Sequence, residues 1–187
     1  MGIRTFIAVK ISDEQRAGVA EVLDRLRCHD VSVKWVEPKN MHITLKFLGD
    51  TAEENLPQLF DAISDALNGA RRFDLKLAGL GQFPPRKPPR VIWAGIQSGY
   101  ENLRDIASKI DKALEPFGFE PEKRKFSAHV TIGRVKNNRN IRLVTDDLEK
   151  IGFDSPGTTV SEVVFFKSDL TPKGPIYTSL KKFELNS

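Results

Sequence analysis

The sequence predicts an α+β fold in which two similar lobes pack about an approximate two-fold axis. Apolar residues recur with strand and helix periods in the order strand, helix, strand, helix, strand, and this order occurs twice. A shift of 87 residues places the strand at 3–10 on a strand at 90–97. The same shift places His-Ile-Thr-Leu at 42–45 on His-Val-Thr-Ile at 129–132.

These two observations predict one bilobal domain over residues 1–187, with an internal repeat of roughly 1–88 and 89–187. The central cleft between the lobes is expected to carry the two His-x-Thr strands, one from each half.

The composition is that of an ordinary globular protein. Hydrophobic residues make up 40% and charged residues 29% of the 187 positions, which excludes a disordered chain. No window approaches the roughly 20 continuous apolar residues that cross a bilayer, and no signal sequence is evident, so we expect a cytoplasmic protein without membrane contact. The single cysteine, Cys28, excludes an internal disulfide and a cysteine-rich zinc site.

The first half begins with a strand at 3–10, rich in β-branched and aromatic residues. Ser12 and Gln15 have the spacing of a helix capping box, so a helix is expected to follow. Alternation and helical periodicity further predict strands at 33–36, 41–49 and 73–83 and a helix at 52–67.

The second half follows a proline-rich segment at 84–89, which is either a linker or an ordered turn between paired strands. The same periodic signals predict strands at 91–96, 126–135, 160–167 and 176–185 and helices at 100–114 and 143–151. A turn at 171–175 is expected to join the last two strands.

The two His-x-Thr motifs are the candidate chemistry of this chain. Successive side chains of a strand point to opposite faces, so His42 shares a face with Thr44, and His129 with Thr131. Two of the three histidines carry this pattern at an equal offset, which makes coincidence a poor explanation. His29 has no such context, and we expect it to be structural.

Two facing imidazoles suit in-line displacement at phosphorus, because one can remove a proton while the other donates one. The hydroxyls of Thr44 and Thr131 are placed to donate to the phosphoryl oxygens. In a regular strand Lys46 lies on the same face as His42, so it could add positive charge to the site. In a regular strand Arg134 would point to the face opposite His129, but a bulge at Gly133 would turn it toward the phosphate.

At these residues the sequence resembles the two-histidine (2H) phosphoesterases, and within them the RNA 2′,3′-cyclic phosphodiesterases once described as 2′-5′ RNA ligases. The resemblance runs over nearly the whole chain and rests on five segments: RTFIAVKIS, HITLKFLGD, GLGQFPPRKPPRVIWAGI, HVTIGR and SDLTPKGPIYTSLKKFEL. It implies a bilobal α+β fold in which each lobe holds an antiparallel sheet with helices on its outer side. It also implies a central cleft and neither metal nor cofactor.

The resemblance also implies roles for the motif residues. His42 would donate a proton to the leaving oxygen, His129 would activate water, and Thr44 and Thr131 would bind the phosphate. The implied reaction opens a 2′,3′-cyclic phosphate at an RNA end, tRNA fragments included, to a 2′-phosphomonoester, and the resemblance also allows a reversible 2′-5′ RNA ligation. The residues themselves leave open which histidine is the acid and which the base.

Some of the basic residues are expected to line a groove for an RNA backbone, and the others to form a solvated surface. The basic residues cluster at 71–72, 86–90, 123–125 and 134–142, and the net charge is +4. Trp35 and Trp93 are candidates for stacking a base, although each is more often part of a core. Since both motifs lie on one chain, a monomer is the expected state.

Three other functions remain open at this point. A small cyclic nucleotide or an ADP-ribose derivative could replace RNA without changing the chemistry. A non-catalytic module could use the motifs only to hold a phosphate, but two titratable rings favour proton transfer over fixed binding. A metalloenzyme is the weakest alternative, because no cluster with ligand spacing accompanies the histidines.

Overall fold

The structure is a computed structural model that describes residues 2–85, 87–172 and 174–187. Arg86 of the predicted basic cluster and Lys173 of the predicted turn lie outside the described residues. Nine strands and four α-helices form within these ranges: β1 Gly2–Lys10, α1 Asp13–Leu26, β2 Val33–Trp35, β3 His42–Ala52, α2 Leu56–Leu67, β4 Phe73–Phe83, β5 Val91–Ser98, α3 Tyr100–Leu114, β6 Val130–Val135, α4 Ile141–Lys150, β7 Thr158–Val160, β8 Glu162–Thr171 and β9 Gly174–Glu184.

The strands form one antiparallel sheet in the order β7-β4-β5-β6-β3-β1-β8-β9, with β2 paired to β6. The predicted α+β class is confirmed. The expectation of two duplicated lobes, each with its own antiparallel sheet, is not confirmed, because the sheet continues from β6 to β3 across the centre. The repeat over 1–88 and 89–187 remains a prediction.

Strand pairing does not follow the two sequence halves. β4, from the first half, pairs with β5 of the second, and β8 of the second half pairs with β1 of the first. β4 pairs with β5 because the connection between them, residues 84–90, is short enough to form a hairpin turn. The proline-rich segment is therefore a turn between paired strands and not a linker.

The helices cover one face of the sheet. Helix α1 begins at the predicted capping box, in which the Ser12 hydroxyl accepts from the Gln15 amide and the Gln15 side chain accepts from the Ser12 amide. Its apolar side enters the main core together with those of α2, α3 and α4. On the opposite face Phe6, Ala8, Val164 and Phe166 form a smaller apolar cluster. This second face is the cleft.

Three predicted boundaries are wrong. The predicted strand at 126–135 begins only at Val130, because residues 126–129 have no paired strand beside them. The predicted helix at 52–67 begins at Leu56 after a 3₁₀ turn, with Pro57 in its first turn, where proline is tolerated. The predicted strand at 160–167 is divided between β7 and β8.

In the described ranges no helix is long and apolar enough to cross a membrane.

Candidate active site

The two motif strands meet at the centre of the sheet. In the described part of the chain β3 and β6 pair at a single point, Ile43 with Val130, and both side chains are fully buried on the helical face. Their motif neighbours therefore point into the cleft. The antiparallel register brings Thr131 to the side of His42 and Thr44 to the side of His129. Ile43 and Val130 are 87 positions apart, the offset of the motifs themselves.

Both imidazoles are held in the same way. Nδ1 of His42 lies 2.7 Å from the carbonyl oxygen of Asn40, and Nδ1 of His129 lies 2.7 Å from that of Ser127. A carbonyl oxygen can only accept, so Nδ1 carries a proton and donates in each case. This leaves Nε2 of both rings free to take or give a proton in the cleft.

The surroundings of His42 are aromatic. The Phe6 ring lies 4.8 Å from the imidazole at 31°, and the Tyr177 ring meets it edge-on at 5.3 Å. Burial lowers the pKa of His42, the hydrogen bond to Asn40 opposes this shift, and the nearby charges of Arg134 and His129 add to it. His42 therefore gives up a proton more readily than a free histidine.

His129 lies in a more open place. The Phe83 ring meets its imidazole edge-on at 5.1 Å. Burial again lowers the pKa, the hydrogen bond to Ser127 opposes it, and the charge of Arg134 lowers it further. The two rings thus share a tether but differ in their neighbours, so their proton affinities need not be equal.

Thr44 and Thr131 are half-buried on the cleft face. Among the described residues neither hydroxyl has a hydrogen-bond partner in another side chain. Each can therefore donate to an oxygen that enters the cleft between the two imidazoles.

Arg134 reaches the cleft through the predicted bulge. In the pairing of β5 with β6, Trp93 faces Thr131 and Ile92 faces Gly133, so Ile132 is an extra residue. Arg134 then falls opposite Val91, two residues along β5 from Trp93 and so on the face of Thr131. Its positive charge lowers the pKa of both histidines.

Gly133 leaves room for the Trp35 ring beside this bulge. A Cβ at this position would lie 2.9 Å from the Trp35 ring, which covers the glycine from the helical side. Trp35 packs against the main core. It is therefore not available to stack a base in the cleft.

The prediction that Lys46 adds charge to the cleft is wrong. In the pairing of β1 with β3, Ile7 faces Lys46 and Ala8 faces Thr44, so Leu45 is an extra residue. This bulge reverses the parity of Lys46 and turns it to the buried side. There it forms an ion pair with Asp111 of α3 and donates to the Glu120 carbonyl oxygen at 3.0 Å.

Sequence reasoning missed the aromatic side chains around the imidazoles. Phe6 was detectable in principle, since it lies on a predicted strand. Tyr177 was not, because only the pairing of β8 with β1 and β9 brings it to His42. Burial raises the pKa of Tyr177, with the charges of Arg134 and Arg4 opposing, so its hydroxyl stays protonated. Within the described ranges no group of three potential metal-ligand side chains comes together.

Comparison with known proteins identifies the family. A protein-family model described as LigT like Phosphoesterase matches residues 9–93 and 96–177, and each matched segment contains one His-x-Thr motif. Two relatives named RNA 2′,3′-cyclic phosphodiesterase are similar over nearly full length. The protein of Methanothermobacter thermautotrophicus is 37% identical over 99% of this chain and all of its own. That of Archaeoglobus fulgidus is 39% identical over 97% of this chain and all of its own.

Solved structures agree on the fold. The crystal structure of a Thermus thermophilus protein superposes with a TM-score of 0.82, at 28% identity and 99% coverage of both chains. That of E. coli LigT complexed with 3′-AMP gives 0.80 over the whole of both chains, at 22% identity, which is a likeness of fold alone. The resemblance noted in the sequence is therefore confirmed, and the chain belongs to the LigT-like phosphoesterase family.

Proposed function

We propose that this protein hydrolyses 2′,3′-cyclic phosphate ends of RNA to 2′-phosphomonoesters, with His42 and His129 as the acid and base. The observation that carries the proposal is the matched pair of imidazoles, each tethered through Nδ1 and free at Nε2, on strands that meet at one point. The names of the relatives, which cover almost the whole chain, support RNA as the substrate.

The proposed reaction is an in-line displacement at phosphorus. Nε2 of His129 takes a proton from a water molecule as the water oxygen bonds to phosphorus. Protonated Nε2 of His42 gives its proton to the 3′ oxygen as the bond between phosphorus and the 3′ oxygen breaks. The products are a 3′ hydroxyl and a 2′-phosphomonoester. A 5′ hydroxyl in place of the water would give 2′-5′ ligation. One chain carries both histidines, so the proposed enzyme is a monomer.

Three side chains are proposed to hold the phosphate. The Thr44 and Thr131 hydroxyls donate to its non-bridging oxygens, and the Arg134 guanidinium balances the negative charge that these oxygens carry. The free hydroxyls and the bulge that turns Arg134 inward support these roles. The proposed chemistry needs no metal or cofactor, because imidazoles move both protons.

The direct test is to incubate the protein with excess chelator and a short RNA that ends in a 2′,3′-cyclic phosphate. We expect the cyclic end to open to a 2′-phosphate, identified by chromatography against 2′- and 3′-phosphate standards. A 3′-phosphate product, or a loss of turnover on chelation, would contradict the proposal. Turnover of cyclic mononucleotides alone would favour a small-molecule substrate.

The pH dependence follows from the lowered pKa values of both histidines. Turnover needs one ring protonated and the other neutral, so kcat/KM should be greatest between the two pKa values. Since both lie below the usual value of about 6.5, the optimum should fall on the acidic side of that value and the rate should decline above it.

Replacing Arg134 tests whether its charge lowers the pKa values of the two histidines. Its positive charge lowers both pKa values, so Arg134→Gln should raise both and shift the optimum to higher pH, while also slowing turnover. The control is Arg139→Gln, which removes an exposed charge from the loop after β6. An unmoved optimum in Arg134→Gln would show that this guanidinium does not act on the histidines.

A further inference from the structure

A second cavity lies beside the cleft, between the β4–β5 hairpin and helix α4. Its volume is about 720 Å³, within the range of small-molecule sites. Much of its lining is apolar and comes from both elements: Leu80, Pro88, Pro89, Trp93, Ile141 and Leu148. The Gln82 side chain donates to the carbonyl oxygens of Pro84 and Lys87, both at 3.3 Å, and so braces the turn that forms one wall.

This cavity shares a wall with the active site. The Trp93 ring lines the cavity and lies 5.3 Å from the Phe83 ring, which in turn lies 5.1 Å from the His129 imidazole. Gly81 leaves room for the Trp93 ring, because a Cβ at position 81 would lie only 2.3 Å from the indole. A chain bound at His129 can therefore reach the cavity by crossing two aromatic rings.

The charged groups of the cavity favour an anion. Lys87 and Arg142 both line it, and within the described ranges neither has a carboxylate at salt-bridge distance. They come from the basic clusters at 86–90 and 134–142, and neither side chain is among the residues assigned to the active site. Glu149 also lines the cavity, and its negative charge opposes the two positive charges. Its side chain is exposed, as are those of both cations.

The lining of the cavity combines one aromatic ring, that of Trp93, with aliphatic side chains. Nucleobases stack on aromatic side chains, and phosphates bind lysine and arginine. The Trp93 ring and the two exposed cations therefore match a nucleobase with its phosphate.

We propose that this cavity binds the nucleotide on the 5′ side of the cyclic phosphate end. The inference rests on the proposed function and extends it from the reacting phosphate to the RNA strand. The two histidines and Arg134 take the cyclic phosphate, so Lys87 and Arg142 are left for a second phosphate. A cyclic mononucleotide has no second phosphate, whereas an RNA strand has one at each nucleotide.

The test compares a 2′,3′-cyclic mononucleotide with a short RNA ending in the same cyclic nucleotide. The wild type should have the higher kcat/KM on RNA. Arg142→Ala should lower kcat/KM about five- to tenfold on RNA and leave the mononucleotide unchanged. Glu149→Gln should raise the RNA value about twofold, since it removes the opposing charge. Arg139→Ala is the matched control, because Arg139 is exposed just before α4 but does not line the cavity.

A change of volume tests the same site without a change of charge. Thr145 lines the cavity on α4, so Thr145→Phe should fill part of it and again lower kcat/KM on RNA alone. Equal kcat/KM on both substrates in the wild type, or equal effects of Arg142→Ala and Arg139→Ala, would overturn the cavity inference while leaving the proposed function intact. Absence of turnover on both substrates would instead overturn the proposed function.

Discussion

Replacing His42 or His129 with alanine should lower kcat on an RNA 2′,3′-cyclic phosphate by about 10²–10⁴-fold. Each variant removes one of the two groups proposed to move a proton in the displacement. The double variant should be little worse than either single variant, because the two rings act as a unit. Single-turnover kinetics with excess protein would measure the chemical step directly.

His29 is the matched control for this experiment. Its Nε2 lies 2.7 Å from Oδ2 of Asp147, where it links the segment after α1 to helix α4. His29→Ala should therefore keep the hydrolytic rate within a small factor of the wild type. An equal loss in all three variants would indicate a folding defect, and an unimpaired His42 or His129 variant would contradict the proposed mechanism.

The pH profiles of the residual activity distinguish acid from base. Removal of the acid should abolish the decline of kcat/KM at high pH, whereas removal of the base should abolish the decline at low pH. The proposed roles require the first result for His42→Ala and the second for His129→Ala. The opposite pattern would exchange the two roles without affecting the site.

The second large effect concerns stability. Asp111→Ala should lower the free energy of unfolding by about 3–5 kcal/mol, because it leaves the ammonium of Lys46 buried without its counter-charge. The Lys46 side chain is 6% exposed and that of Asp111 21%. The same carboxylate also accepts from the Glu122 amide at 3.0 Å, so its loss frees a second donor.

Chemical denaturation of the wild type and two sets of variants would measure this effect. Asp105→Ala breaks an exposed pair with Lys109 on the same helix, and should cost less than about 0.5 kcal/mol. Lys46→Met combined with Asp111→Leu removes both charges and should recover most of the loss. If Asp111→Ala were no more destabilising than Asp105→Ala, the buried pair would not contribute as the geometry indicates.

This ion pair also connects the two halves of the site. Lys46 lies on the strand that begins at His42, and its ammonium donates to the Glu120 carbonyl oxygen. Asp111 holds the Glu122 amide in the segment that leads toward His129. The pair therefore ties the coil before one motif to the strand that carries the other.

The sequence alone was sufficient to locate the two candidate motifs and to predict the fold class. The two His-x-Thr motifs are local patterns, and strand alternation predicts that His42 and Thr44 share a face whatever the neighbouring strands are. The capping box at Ser12 and the apolar faces of the helices are also formed by residues close together in the sequence. Such features depend on residues a few positions apart, so periodicity can reveal them.

Only the tertiary structure decided which other side chains enter the cleft. Side chains alternate between the two faces of a regular strand, but a bulge interrupts this alternation. The bulge at Leu45 turns Lys46 away from the cleft, and the bulge at Ile132 turns Arg134 toward it. A bulge is a property of two paired strands, and the pairing joins residues far apart in sequence. The position of Tyr177 beside His42 depends on such pairing too, because side-chain environments are set by contacts that no short stretch of sequence contains.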